Sequence, residues 1–574
     1  MFELSPKKKE LLETEGNILA TGGPGSGKTT IALLKAEWEV GEQNLKQGQR
    51  ILFLSFARAT IARIIEEANK HLSKDERTAV EINTYHGFAW NIIRSHGYLL
   101  HAEHPLHLLT PHEAAARLSE IPLNDHVAAK WRIFEEEGLL DFDLFAPVSA
   151  EILERSNALA RIVNDTYPIV ILDEFQDTNS DEWRMIQLLG RSSRLIALAD
   201  TDQRIYEFRG ADPKRVDNFV AEYTPSHFDF SDENHRSNGT DIIEFGNDLL
   251  TKANKSKAYS NVEIVRYQVR RGIHIHLTLK SLVLRSIGRL RAGSDSNWSL
   301  AVLVPTNRLM LIVSDYLGNK QDFGSGRSLP QIGHDVALDP EGPTLAAILI
   351  SGILETAEPV DAITAGLMND LCIHLRGRKG SKGPSQKEIA LVNALEGYLE
   401  NGIIRGKIRE QIVDDSIHIA IARQALILSG DPSEDWLSVR HLLEDSTTDV
   451  FRQIANDAKY LRLLRKGSVL RSSLSDLWRR NDNYIGARSS VSNALLQEHF
   501  SASVRDLRGI YVMTLHKSKG KEFDEVIIYE GPHQDRIWHE HSPQQSRLAL
   551  RVAITRAKQR TTILTPSNNI CELL

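Results

Sequence analysis

Cysteine is nearly missing: Cys372 and Cys571 are the only two among 574 residues. Far apart in sequence, they cannot supply a four-thiolate zinc or iron–sulfur site, and their scarcity fits a reducing, cytoplasmic setting. Long apolar runs are missing too. No stretch is long enough to cross a bilayer, so no membrane association is expected. The opening Met1-Phe2-Glu3-Leu4-Ser5-Pro6-Lys7-Lys8-Lys9 has no apolar segment behind its lysines, which argues against a secretory signal. Nor is there an excess of positive charge, since 69 Lys and Arg face 76 Asp and Glu for a formal net charge of −7. That balance neither favours nor excludes a nucleic-acid partner, because a protein can confine its basic and aromatic contacts to one groove. The remaining composition, 41% hydrophobic and 25% charged, is that of a soluble protein whose length calls for several domains.

What is present is sharper. Gly16-Asn17-Ile18-Leu19-Ala20-Thr21 reads as a short buried strand, followed by Gly22-Gly23-Pro24-Gly25-Ser26-Gly27-Lys28-Thr29-Thr30 and an amphipathic stretch through Ile31, Leu33, Leu34 and Ala36. Strand, glycine-rich loop and helix in that order form the G-x-x-x-x-G-K-T phosphate loop in the context it needs. Glycines let backbone N–H groups curl around phosphates, and the helix N-terminus adds partial positive charge. Lys28 is expected to reach the β- and γ-phosphates of a nucleoside triphosphate, and the Thr29 hydroxyl to meet Mg²⁺. A second apolar strand, Ile169-Val170-Ile171-Leu172, runs into Asp173-Glu174. Asp173 is then the second Mg²⁺ ligand, and Glu174 the group that polarises attacking water.

The run Asp173-Glu174-Phe175-Gln176-Asp177-Thr178 resembles motif II of the UvrD/Rep/PcrA group of superfamily 1 DNA helicases, and further motifs follow in that family's order. Asp200 to Ala211 is similar to motif III, Glu233-Asn234-His235-Arg236-Ser237 to motif IV, Thr514 to Phe523 to motif V, and Val552 to Ala557 to motif VI. Upstream, Leu54 to Ala59 and Thr84 to Phe88 stand where DNA-contacting motifs belong. The resemblance implies an α/β fold of two RecA-like domains, parallel sheets flanked by helices, each with a mostly helical insert. It implies ATP and Mg²⁺ as cofactors. By position it makes Gln203 a γ-phosphate sensor, Arg236 and Arg556 arginine fingers, and Glu522 a ribose contact. Phe56, Tyr206 and Phe208 fall on base-stacking positions, and Arg58, Thr84, His86 and His516 fall beside the DNA strand. Stacking and phosphate contacts tolerate any sequence, which a translocating motor requires.

The sequence also departs from that pattern. Lys8 replaces the family's adenine-reading glutamine, and lysine has donors but no acceptor. His235 replaces the tyrosine that stacks on adenine, and Phe208 replaces a tryptophan. Gln545-Ser546-Arg547-Leu548-Ala549-Leu550-Arg551 differs from the usual opening of motif VI. The expectation is an active ATPase that reads the base loosely and couples unusually.

The motifs divide the chain. Residues 1–90 with 160–226 form the first RecA-like domain, and 227–355 with 503–574 the second. Residues 91–159 and 356–502 are the helical inserts. In this compact form the chain resembles the UvrD-like subunits found beside OLD-family nucleases in anti-phage systems of the Gabija type, which implies a partner nuclease. By resemblance it is an ATP-dependent motor moving 3′→5′ on single-stranded or partly duplex DNA. Two other readings stay open: a nucleotide-sensing DNA-binding subunit that gates a nuclease with little unwinding, and a stand-alone DNA-repair helicase.

Overall fold

The computed structural model describes residues 5–56, 58–100, 106–118, 121–200, 212–233, 235–269, 275–293, 297–323, 328–337, 341–355, 359–379, 383–459, 469–500 and 508–574. Gln203, Tyr206 and Phe208 lie outside the described residues, and so does the side chain of Arg58. The chain divides into two compact units. One contains Met1–His96, Ala146–Ala337 and Ala502–Leu574; the other contains Gly97–Phe145 and Leu338–Ser501.

The first unit holds two six-stranded sheets. In the first, the spatial order is Val80–Thr84, Ile51–Ser55, Ile169–Leu172, Arg194–Ala199, Ile18–Thr21, Ser226–Asp229, with every neighbour parallel. The strands Ile51-Leu52-Phe53-Leu54 and Ile169-Val170-Ile171-Leu172 are apolar at consecutive positions and buried throughout. That pattern belongs to parallel strands covered on both faces, because crossover helices pack on either side. Along each strand alternate residues share a face. Ile18, Ala20, Phe53, Ile171 and Leu198 pack with Ile31 and Ala32 of the helix Lys28–Gly41 and with Ile61 and Ile64 of the helix Arg58–His71. Each fully buried aliphatic side chain contributes roughly 1.5–3 kcal/mol. Truncating Ile31 to alanine there would cost about 2–5 kcal/mol.

The second sheet is also wholly parallel, in the order Asp335–Ala337, Gly509–Thr514, Ser299–Val304, Phe523–Tyr529, Ala557–Pro566, Val262–Tyr267. Helices Ile242–Thr251 and Pro543–Ile554 cover one face through Phe245, Leu249, Leu550 and Ile554. Lys280 is fully buried on the helix Leu277–Ala292. Its ammonium donates to the carbonyl of Asn319 at 2.6 Å and to those of Tyr316 and Leu317 at 3.3 Å. A cation among the last carbonyls of a helix satisfies acceptors that the helix itself leaves open, and so ends Asn307–Gly318. Mixed α/β architecture with parallel sheets flanked by helices is thus the fold.

The second unit is mainly helical. Its core gathers Leu349, Leu371, Leu395, Val439, Phe451 and Leu474, and the helix Pro111–Leu118 packs against Val360–Gly377. The buried Asp370 is held by both terminal nitrogens of Arg488 at 2.6 Å. Chain from both expected inserts contributes to this one unit.

Candidate active site

Ligands of open parallel sheets bind beyond the carboxyl ends of the strands. Here the loop after Ile18–Thr21 and Asp173 after Ile169–Leu172 sit at such ends, beside Asp200 after Arg194–Ala199. They line a cavity of about 280 Å³ in the first unit.

The phosphate loop is shaped by its glycines. Gly25 and Gly27 have φ of +79° and +84°, which L side chains rarely adopt. At Gly22 a Cβ would stand 2.8 Å from Ser26 Oγ and 3.2 Å from the backbone of Phe230. Gly27 opens the helix Lys28–Gly41, and no side chain of the described residues caps it. Its first N–H groups are therefore left to a bound anion. The Lys28 ammonium donates to the carbonyls of Gly22 at 2.6 Å and Gly23 at 2.9 Å. Burial pulls its pKa down, against the opposing pull of Asp200, Glu174 and Asp173.

Asp173 is buried and accepts from Ser55 Oγ at 3.0 Å. Burial, then the neighbouring Glu174, push its carboxyl up to about 6. A carboxylate so disfavoured is suited to a hard cation, and Thr29 in the same cavity adds a second oxygen donor. These residues fit Mg²⁺. Glu174 takes a left-handed backbone at φ 53°, ψ 34°. For a residue other than glycine that conformation costs on the order of 1–3 kcal/mol. Gln176 Nε2 donates to the Glu174 carboxylate at 2.7 Å, while Gln176 Oε1 accepts the Asp200 N–H at 3.0 Å. Burial alone would raise the Glu174 pKa, but Lys519, Lys28 and Gln176 outweigh it and hold the carboxylate charged.

The second sheet brings cations to the same cavity. Arg236 lies on the segment that joins the sheets, and it donates to the Thr555 carbonyl at 3.1 Å and to Glu522 Oε1 at 2.7 Å. Arg556 follows the helix Pro543–Ile554 and donates to the Val552 carbonyl at 2.9 Å. The Arg556 side chain is buried and that of Arg236 is 8% exposed, and both line the cavity. Burial, then the charge of Arg236, pull Arg556 below the ordinary arginine value. At the outer end the backbone N–H of His235 bonds the Gly25 carbonyl at 2.8 Å. The His235 imidazole lies 3.2 Å from the Lys8 ammonium and 3.0 Å from Glu233.

Of the expected nucleotide residues, Pro24 to Thr30, Asp173, Glu174, His235, Arg236, Glu522 and Arg556 all line this cavity. Gly22 and Gly23 enter through their carbonyls, which accept from the Lys28 ammonium. Of the expected DNA contacts, Phe56 and Thr84 sit at the ends of adjacent strands paired at Ser55 and Thr84. The Phe56 ring lies 4.5 Å from that of Tyr85, and the neighbouring His86 is exposed. His516, also exposed, follows the strand Gly509–Thr514. Sequence reasoning missed Thr60, Arg63, Gln176 and Lys519. Gln176 and Lys519 stood inside recognised motifs without a role, whereas Thr60 and Arg63 belong to a helix that reads as ordinary amphipathic packing.

The UvrD/REP helicase N-terminal domain matches residues 4–137 and 131–224, and the UvrD-like helicase C-terminal domain matches 471–568. Together they take in more than half of the chain. The chain is 21% identical to ATP-dependent DNA helicase PcrA of Staphylococcus aureus over 95% of its own length and 80% of that protein's. It is 22% identical to the putative ATP-dependent DNA helicase YjcD of Bacillus subtilis over 98% of its length and 78% of the relative's. DNA helicase II of Haemophilus influenzae is 24% identical over 43% of this chain and 40% of its own. Matched in order at both halves, with the matched motifs converging on one cavity, the chain belongs to the UvrD-like helicase family.

Proposed function

We propose that this chain is an ATP-dependent DNA helicase or translocase that moves 3′→5′ on single-stranded DNA. The observation that carries the reading is the meeting of Lys28, Asp173 and Glu174 from one sheet with Arg236, Glu522 and Arg556 around one cavity. In this reading Lys28 and the loop N–H groups hold the triphosphate. Glu174, oriented by Gln176 and kept ionised by Lys519, takes a proton from water as its oxygen attacks the γ-phosphorus. The bond to the β-bridging oxygen breaks in line, and ADP and phosphate result. Arg236 and Arg556 neutralise the charge that spreads over the transferring group. Thr29 and Asp173 would hold Mg²⁺, which supplies further neutralisation of the phosphates when bound.

Because Arg556 comes with the second sheet and the phosphate loop with the first, ATP favours the arrangement in which they meet, and hydrolysis removes that preference. Alternation of this kind is how such a motor changes its grip on DNA. Phe56, Thr84, His86 and His516, at the strand ends of the two sheets, support a DNA path there, and Tyr206 and Phe208 extend it by resemblance. A partner nuclease and a part in anti-phage defence rest on the resemblance to Gabija-type subunits.

ATP hydrolysis with and without single-stranded DNA, beside a strand-separation assay, tests the reading. DNA-stimulated turnover with unwinding is expected, and Lys28→Ala or Glu174→Gln should abolish both. ATP binding without DNA-stimulated turnover would sink the motor and favour a nucleotide-sensing subunit that gates a nuclease.

A further inference from the structure

One wall of the cavity has no part in the chemistry above. Thr60, Arg63 and Glu67 stand at spacings of three and four on the helix Arg58–His71, so they share a face. All three line the cavity with Lys28 and Asp173. Thr60 is only 3% exposed, and its hydroxyl finds no hydrogen-bond partner among the described residues. A buried hydroxyl is normally paired, so one facing a cavity points to a ligand that completes it. Glu67 is engaged by Lys70 and His71.

Arg63 donates to Glu522 Oε1, the same oxygen that accepts from Arg236. Two guanidiniums therefore divide one carboxylate oxygen, so that carboxylate does not occupy all the N–H donors of either. A guanidinium on a helix next to Lys28–Gly41 also stays with the phosphate loop, whereas Arg556 belongs to the second sheet. The two kinds of arginine should thus serve different steps.

We propose that Arg63, with Thr60 one turn before it, is a phosphate-binding residue for the nucleotide. The proposal rests on the cavity being a nucleoside-triphosphate site. Arg63 presents its fork of N–H donors to phosphate oxygens, and Thr60 donates its hydroxyl. Because this wall moves with Lys28, it holds ADP and ATP alike. Arg556 instead acts as the phosphoryl bond breaks. If Arg63 were only a latch on Glu522, its removal would leave Arg236 in sole possession of that carboxylate and nucleotide affinity unchanged.

The test is equilibrium binding of a fluorescent ADP and a non-hydrolysable ATP analogue to the full chain, for wild type and for Arg63→Ala, Arg63→Lys, Thr60→Val and Lys28→Ala. Arg63→Ala should weaken both ligands by about tenfold or more, the scale of a lost charged hydrogen bond. Arg63→Lys should recover part of that, since it keeps the charge and loses the fork. In steady state KM for ATP should rise by more than kcat falls. Wild-type affinity in Arg63→Ala, with Lys28→Ala binding neither ligand, would overturn this proposal and leave the triphosphate site standing. A wild-type chain that binds neither ligand would sink both. Should Arg63→Ala fail to melt cooperatively, Arg63→Lys and Thr60→Val carry the test, and undiminished affinity in both overturns it.

Discussion

The ammonium of Lys519 lies 3.7 Å from the carboxylate of Glu174, and it also donates to Asp177. The lysine comes from the loop after Gly509–Thr514 of one sheet, the glutamate from the end of Ile169–Leu172 of the other. Lys519 is the largest of the influences that keep Glu174 ionised despite burial. Replacing Lys519 with alanine should therefore lower kcat for ATP by more than it changes KM, by roughly 10²-fold, the low end for an impaired general base. Steady-state ATPase measurements decide this. An unaltered kcat would mean that Glu174 needs no partner from the second sheet.

Arg556→Ala should reduce kcat by about 10³-fold or more, as for a withdrawn arginine finger. Binding of ADP should change far less, because the guanidinium is held by the Val552 carbonyl of the helix Pro543–Ile554, which packs on the second sheet. A parallel loss of ADP affinity would make it a ground-state contact.

Glu522 carries a pH signature. Burial alone would raise its carboxyl, but Arg236, Arg63 and Lys558 pull it down to about 2. A carboxylate depressed on folding adds stability above its unfolded pKa, and that stability is lost as pH falls through the folded value. The contribution should be on the order of 3 kcal/mol near neutrality. Melting of wild type and Glu522→Gln should differ by a constant margin from pH 8 to about 5, and the margin should shrink below about 4.5. A margin that widens in acid would reverse the sign.

The Phe56 ring, 4.5 Å from Tyr85, follows the end of the strand Ile51–Ser55, where the proposed DNA path runs. Phe56→Ala should weaken single-stranded DNA binding by about 1–3 kcal/mol with little dependence on sequence. Fluorescence anisotropy on mixed-sequence oligonucleotides reads this, and wild-type affinity would return Phe56 to a packing role.

Lys8 is tied to Glu233 at 2.5 Å and lies 3.2 Å from His235, so the residue in the family's adenine-reading position is a cation held by a carboxylate and offers no amide. GTP and CTP should be hydrolysed with kcat/KM within about tenfold of ATP, one tenfold step being only ~1.4 kcal/mol of discrimination. Strict ATP dependence would show that another group reads the base.

The phosphate loop and the Asp173-Glu174 pair were legible because their chemistry depends on neighbours in sequence: strand, glycines, lysine, and an apolar run ended by acid. Arg236, Glu522 and Arg556 were legible only as members of an ordered set, since each alone reads as a surface charge. Arg63 and Thr60 were not legible. Their importance comes from which helix face meets Glu522 and Lys28, a tertiary fact with no signature along the chain. Gln176 shows the middle case. Its residue type is in the motif, but its bridge from the Asp200 N–H to Glu174 exists only once adjacent strands are side by side.

The backbone of Glu174 has a consequence for how this loop could be improved. At φ 53° the chain bends in a way that glycine would take up more readily than any other residue. A glycine there should therefore outlast an alanine in denaturant, and neither would turn over ATP. The fold holds one of its strained residues at the point of reaction, so selection for robustness alone would erode the motor. Stabilising substitutions belong elsewhere, in the helical unit or on exposed helix faces, where firmness and turnover do not compete.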